Sequence, residues 1–304
     1  MQDQPARIDA GRKPLDVTVV ARAGFWHTVE LAARTGSTNA DLLRRAQDGA
    51  AQGLVLVAEE QTAGRGRLGR AWVSPPHAAL MFSLLLRPVP VSPARWGWLP
   101  LLTGVAVVTA IHEVTGIDAT LKWPNDVLAL TVPAIPAPAT PAPAGHGQAP
   151  ATPAPAGHGK LAGILAEAAG DAVVIGIGLN VTTAPEEFPP AGPGALPATS
   201  LFAMGSTVLD RELILSQILR AFERRYLAWR DAAGDPAQIR AEYIRLCGTL
   251  GRQVRVELPG GQVLSGEAAD VDSDGRLVVR VAAGGSAAGG SAVAVAAGDV
   301  VHVR

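Results

Sequence analysis

The chain has 304 residues, which suggests about two domains at roughly 150 residues each. Hydrophobic residues make up 48% and charged residues 17%, so a packed core is expected and global disorder is excluded. The 26 Lys and Arg against 27 Asp and Glu leave a formal charge of −1, which removes any bulk electrostatic reason to coat nucleic acid or an anionic membrane.

Residues 1–23 read as a loose polar extension without the apolar core of a signal peptide. Trp26 to Leu31 alternates like a strand. Ser37 or Thr38 can cap a helix running to about Gln47, with Asp41 three residues after Thr38 as in a capping box. Leu54 to Ala58 is a short buried strand. A glycine- and arginine-rich loop follows, and then another strand in AALMFSLLLRP. Trp98 to Val114 reads as a core helix. Its apolar stretch, Leu99 to Ile111, is shorter than the ~20 residues needed to span a bilayer. Segments 120–130, 160–168 and 172–181 read as strands. Residues 131–159 are mostly Pro and Ala, and ATPAPAGHG occurs at 139–147 and again at 151–159. Proline removes backbone donors and favours polyproline II, so this insert is expected to be an extended loop projecting outward. Its two histidines, His146 and His158, form no closed metal site. Residues 208–233 are expected to form an amphipathic helix with Leu213, Leu219, Phe222, Tyr226 and Trp229 near one face, ended by Gly234. Asp235-Pro236 starts a second helix. From Gly248 short strands alternate with Pro-Gly-Gly, Asp-Ser-Asp-Gly and Gly-Gly turns, the texture of a small all-β barrel. The expected organisation is an extension at 1–23, a catalytic domain at 24–247 and a β domain at 248–304. The lone Cys247 excludes an intrachain disulfide, and nothing around it has zinc-ligand spacing. These features suit a soluble, cytoplasmic protein.

Lysine occurs only at Lys13, Lys122 and Lys160, and asparagine only at Asn39, Asn125 and Asn180. A chain that uses arginine for its other 23 basic residues keeps lysine where arginine cannot replace it. Gly64-Arg-Gly-Arg-Leu-Gly69 formally fits a dinucleotide fingerprint, but Trp72-Val-Ser-Pro-Pro76 follows where a helix should open. Its Arg65, Arg67 and Arg70 instead suit a loop that grips phosphate or carboxylate, or a solvated basic turn. Lys122-Trp-Pro-Asn-Asp126 groups a cation, a stacking aromatic, an amide and a carboxylate. Asp126 could help hold magnesium–ATP, and the same run also fits a strand end followed by a turn. Lys160 is not a Walker lysine, because no Ser or Thr follows it. Gly176 and Gly178 inside an apolar strand mark close approach of backbone or ligand, or a bulge.

The set STN at 37–39, EQTAGRGRLGRAW at 60–72, KWPNDV at 122–127, KLAGIL at 160–165, GIGLNV at 176–181 and GDVVHVR at 298–304 resembles the biotin protein ligases, in order and rough spacing over about 28–304. The resemblance implies an α+β fold: a mixed catalytic sheet with helices, related to class II aminoacyl-tRNA synthetases, and an SH3-like barrel. It also implies formation of biotinyl-5′-AMP from biotin and ATP with Mg2+, and transfer to a lysine of a biotin carboxyl carrier protein domain. On this resemblance Ser37, Thr38 and Asn39 sit at the ureido end of biotin. Gln61, Gly64, Arg65, Gly66, Arg67 and Gly163 hold biotin. Lys160 contacts the carboxylate and α-phosphate. Arg65, Arg67, Arg70, Trp72, Lys122, Asn125, Asp126, Asn180 and Arg304 attend the nucleotide, and Lys160, Arg65, Arg67 and Lys122 carry the catalysis. Some relatives carry an N-terminal winged helix-turn-helix. The 36 residues before Ser37 are too few for it, so no DNA binding is expected. A lipoate ligase of the same architecture is the alternative, and a non-catalytic ligand sensor is the rival from another class. The sequence leaves a homodimer open.

Overall fold

A computed structural model describes residues 11–20, 24–131, 157–191, 196–258, 261–281, 291–296 and 298–302. The first sheet has seven strands: β1 (Thr28–Ala32), β2 (Leu54–Ala58), β3 (Ala79–Leu86), β4 (Ala119–Lys122), β5 (Asp126–Thr131), β6 (Gly157–Ala169) and β7 (Ala172–Asn180). Their order is β1-β2-β3-β7-β6-β5-β4, with β1 and β2 parallel and the other neighbours antiparallel. Four helices accompany them: α1 (Thr38–Gln47), α2 (Trp98–Thr115), α3 (Arg211–Asp231) and α4 (Ala237–Leu246). A second, antiparallel sheet follows, with β8 (Gln253–Glu257), β9 (Val263–Val271), β10 (Leu277–Val281), β11 (Ser291–Val295) and β12 (Asp299–His302) in the order β11-β10-β9-β8-β12.

Strand β2 is apolar on both faces, because both are covered there. Leu54 and Leu56 of β2 turn toward α1, where they pack with Leu42, Ala46, Leu85 and Val174. Val55 and Val57 turn the other way, into the large core shared with α2 and α3. Helix α2 is long and apolar enough to cross a membrane by composition, but it is mostly buried between sheet and α3. Gly116 ends it in the left-handed region, with φ of 70°. On α3 the buried face is Ile214, Leu215, Ile218, Leu219, Phe222, Tyr226 and Trp229. Leu213, expected on that face, is exposed, because the helical period puts it on the outer stripe with Arg220 and Arg224, seven and eleven residues on.

Three further expectations change. Segment 120–130 is not one strand but the hairpin β4–β5, turned by Trp123-Pro-Asn125. Proline cannot donate to a ladder, so the chain reverses there. Residues 11–20 of the expected loose extension are docked: Leu15, Val17 and Val20 are buried, and Arg12 binds Glu187 and Thr182. Their apolar residues are too few and too scattered to signal an element. The Pro/Ala insert joins β5 to β6, which pair at Thr131 and Gly157. The expectations for residues 132–156, His146 included, lie outside the described residues, and β6 starts three residues before Lys160.

Candidate active site

The cleft opens on the α1 side of the sheet. Register places Ser83 opposite Gly176, and Gly178 opposite Gly163, so the side-chain positions facing α1 turn to glycine along β6 and β7. Those glycines make room. A Cβ on Gly178 would run into the Trp72 indole, one on Gly163 would lie 3.1 Å from the same ring, and one on Gly176 would collide with Asn39.

Ser37 caps α1 by accepting from Ala40 N, which sets Thr38 and Asn39 at the buried start of the helix. Asp41 closes no capping box and binds Thr35 and Arg44 instead. Thr38 N donates to Gln61 Oε1 at 2.8 Å. Asn39 Nδ2 donates to Glu167 Oε2 at 2.8 Å, and Ser83 Oγ lies 2.6 Å from Asn39 Oδ1.

The arginine-rich loop is a tight, self-bonded hairpin. Gln61 bridges to Thr35, Gly66 N donates to Arg70 O at 2.6 Å, and Trp72 N donates to Gly64 O at 2.9 Å. A Cβ on Gly64 would meet Trp72 O at 2.5 Å and one on Gly66 would meet Arg70 O at 3.3 Å. These two glycines therefore let the loop's own arms close on each other. Leu68 and Gly69 make the reversal with φ of 55° and 73°. The loop lies over the cleft. Arg67 Nη1 reaches Asn125 Oδ1 at 3.3 Å, and the Trp72 Nε1 is buried with no hydrogen-bond partner. An unsatisfied buried donor beside a cleft is what a bound acceptor would relieve.

Lys160 is fixed through its backbone on two sides. Its N donates to Pro197 O at 2.7 Å, its O accepts from Thr199 N at 2.9 Å, and on the other edge it pairs with Leu128. Its Nζ stands 2.8 Å from Asp126 Oδ1 and 5.8 Å from the Trp72 ring centre. Lys122 Nζ lies 3.9 Å from Asp126 Oδ2. Asn125 clamps β6 through Ile164 N and Ile164 O, both at 3.0 Å, which holds the KWPND turn against KLAGIL.

Ser37, Thr38, Asn39, Gln61, Arg65, Gly66, Arg67, Arg70, Trp72, Lys122, Asn125, Asp126, Lys160 and Gly163 thus line one cleft, as do Gly176 and Gly178. Gly64 and Asn180 stand outside that lining. Gly64 is consumed by the loop's closure, and the buried Asn180 donates to Thr199 O at 2.9 Å. Arg304 lies outside the described residues. Trp123, expected as a stacking aromatic, is buried behind the cleft, where its Nε1 donates to Gly275 O at 3.0 Å. With Trp98, which donates to Ser273 O at 2.8 Å, it docks the β9–β10 turn onto the catalytic domain. Ser83 and Glu167 went unmarked in the sequence, and Gly298 was marked only as the start of the GDVVHVR motif. Gly298 lines the cleft from the C-terminal region. Only the register of β3, β6 and β7 brings Ser83 and Glu167 to Asn39. Asp126 is the one carboxylate among the described lining residues, and no cluster of three or more potential metal ligands occurs among the described residues.

Fold and cleft together define an α+β protein with a glycine-floored cleft, a cationic rim and a folded-over arginine loop, and with a β-rich C-terminal unit attached. Residues 31–180 match the biotin/lipoate A/B protein ligase family, and residues 249–303 match the biotin protein ligase C-terminal domain. The chain is 43% identical to the biotin–[acetyl-CoA-carboxylase] ligase of Mycobacterium tuberculosis, over 97% of this chain and 98% of that protein. It is 32% identical to the bifunctional ligase/repressor BirA of Bacillus subtilis, over 77% of this chain and 63% of that protein. A biotin protein ligase from Aquifex aeolicus, solved with biotin and ATP, has the same fold, with a TM-score of 0.66 at 23% identity over 91% of this chain and 99% of that one. The chain belongs to the biotin protein ligase family.

Proposed function

We propose that the chain joins biotin to a lysine of a biotin carboxyl carrier domain in two steps. In the first, a biotin carboxylate oxygen forms a bond to the α-phosphorus of ATP and the bond to the β-phosphate oxygen breaks, giving biotinyl-5′-AMP and pyrophosphate. In the second, the carrier's ε-amine attacks the acyl carbonyl, AMP leaves and the amine loses a proton. The observation that carries this reading is the gathering of Lys160, Lys122 and the three loop arginines along one glycine-floored cleft, with Asp126 the single carboxylate among its described lining residues.

A carboxylate approaching a polyphosphate is a like-charge encounter, and fixed cations that offset it supply the electrostatic stabilisation such transfers need. Lys160, held through its backbone on both edges, is the group we assign to the reacting oxygens. Arg65, Arg67 and Lys122 add charge, and Arg70 and Asn125 attend the phosphates. Ser37, Thr38, Asn39 and Gln61 sit at the ureido end, and Gly66 and Gly163 let biotin lie close. Trp72, with its unpaired Nε1, is assigned to the adenine side. Magnesium would arrive on the phosphates and take Asp126 as its protein carboxylate, because Mg2+ is usually bound by one or two carboxylates plus substrate phosphates. Its chemistry would be charge neutralisation. The closed loop would keep water from the adenylate. The setting we assign is the cytoplasm.

Incubation with biotin, magnesium–ATP and a carrier domain, read by the mass of the carrier, tests the reading. One biotinyl group added per carrier is expected, with biotin-dependent exchange of pyrophosphate into ATP. Exchange supported by lipoate and not by biotin would replace it with the lipoate reading.

A further inference from the structure

Beneath the first turn of α1 runs a chain of polar contacts in which no direction is left free. Asn39 Nδ2 lies 2.8 Å from Glu167 Oε2 and 3.3 Å from Leu165 O. Both are acceptors only, so the Asn39 amide nitrogen faces them and its Oδ1 faces Ser83. That oxygen also only accepts, so the single hydrogen of Ser83 goes to it across 2.6 Å. Ser83 is fully buried and lies 2.7 Å from Thr38 Oγ1. With the Ser83 hydrogen already used, this contact takes the hydrogen of Thr38. Gln61 Oε1, 3.1 Å from Thr38 Oγ1, competes for that hydrogen from farther away and already accepts from Thr38 N. Thr38, which lines the cleft, is thereby left with lone pairs to offer, and Gln61 with its amide nitrogen.

Turning the Asn39 amide over would reverse every link. Asn39 would donate to Ser83, Ser83 would donate to Thr38, and the Thr38 hydrogen would be released toward Gln61 and the cleft. What opposes the reversal is the pair of acceptors at the far end, neither of which can donate, and of the two the Glu167 carboxylate is the nearer and carries the charge. We propose that Glu167, which stands outside the cleft lining, is a positioning residue that fixes the sense of this relay and makes Thr38 an acceptor for a ligand N–H. The inference rests on the reading that residues 37–39 meet the cyclic urea. It adds that the site selects for an N–H at that point. Gly176 belongs to the same device, since a Cβ there would displace Asn39.

The test compares biotin with biotin methylated on either urea nitrogen, in pyrophosphate exchange at saturating ATP. Wild type should prefer biotin strongly. Glu167→Met keeps length without an acceptor. It should raise the KM for biotin about tenfold, leave kcat and the KM for ATP within about twofold, and lower the preference over one of the methylated compounds by a similar factor. Glu167→Gln, which accepts in one of its two orientations, should fall between. A folded Glu167→Met enzyme with unchanged selectivity overturns the inference. Should that variant fail to fold, Ser83→Ala cuts the relay at its centre, and unchanged selectivity there is equally fatal. Wild-type protein that exchanges no pyrophosphate with biotin overturns the functional reading instead.

Discussion

Two charge clusters, one buried and one along the cleft, sit at opposite ends of the arginine-rich loop, and they are built on opposite rules. At the loop's base, Glu59 spends both oxygens on the protein itself. Oε2 meets Arg211 Nη1 at 2.7 Å and His77 Nδ1 at 3.0 Å, while Oε1 takes Leu15 N and, at 3.4 Å, Arg211 Nη2. Arg211 completes itself on the carbonyls of Ala79 and Lys13. In the cleft, Lys160 and Lys122 face Asp126, and Arg65, Arg67 and Arg70 line the same space. The first cluster satisfies its own partners and ties together β2, the loop's return, α3 and the N-terminal strap. The second gathers cationic side chains along an open cleft, where a bound anion would meet them. Buried charge by itself therefore does not mark a site here, whereas charge gathered along an open cleft does.

The widest break in that comparison comes from the cleft side. Lys160→Ala should lower adenylate formation about 10³-fold, about 4 kcal/mol of transition-state stabilisation, with little change in Tm. Lys160→Arg should recover little, because a guanidinium fork does not fit a point-charge position. Single-turnover pyrophosphate release measures both, and a folded mutant with near-normal release would move Lys160 out of its role.

On the base side the signature inverts. Arg211→Met leaves Glu59 buried with half its partners and should cost about 3 kcal/mol of stability, seen in urea unfolding. Activity per folded molecule should stay within a few fold. The same cluster predicts an acid limit. Burial pushes the Glu59 carboxyl up, but the Arg211 hydrogen bonds, Leu15 N, the Arg211 charge and His77 together hold it below the usual range. A depressed carboxyl contributes stability that is present above its unfolded value, near pH 4.3, and is lost as pH falls through the folded one. Arg211→Met should therefore flatten the acid side of the stability curve. An unchanged acid limb would remove Glu59 from that role.

The cleft's lid gives an intermediate effect. Gly178→Ala places a methyl against the Trp72 indole and should displace it, a change of about 2 kcal/mol by the usual penalty of overpacking. If Trp72 meets adenine, the KM for ATP should rise more than tenfold while that for biotin moves little. Equal rises in both would mean that Trp72 serves the whole cleft.

How much of this was legible in the sequence follows from the range over which each feature acts. Helix α2 is a local feature, and it reads correctly from its own apolar run. The scarcity of lysine and asparagine pointed to Lys122, Lys160, Asn39 and Asn125, all of which line the cleft. Asn180 is equally scarce but is spent on the Thr199 carbonyl. The hairpin hidden in TLKWPNDVLAL was missed because both arms are apolar enough to read as one strand. Trp123 was misjudged because its partner, Gly275, is 152 residues away. Ser83 and Glu167 carry no pattern at all, since only cross-strand register brings them to Asn39.

The docked strap offers the smallest and most discriminating effect. Arg12 is nearly buried and binds Glu187 through Nη1 at 3.0 Å and Nη2 at 2.5 Å, and Thr182 through Nε at 3.1 Å. That hydrogen bonding from Arg12 is the largest influence on Glu187 and holds its carboxyl below the usual range, against the opposing effect of burial. Arg12→Met should cost about 1 kcal/mol at neutral pH. By the sign of the depressed carboxyl, the gap to wild type should stay constant from pH 8 to about pH 5 and close below about pH 4 as Glu187 takes up its proton. The Lys160 chemistry should not change, because the strap touches the Glu59 cluster and not the cleft. A loss of adenylate formation in Arg12→Met would show that the two clusters are coupled through the loop that separates them, and that the contrast between a closed cluster and an open one is not the whole design.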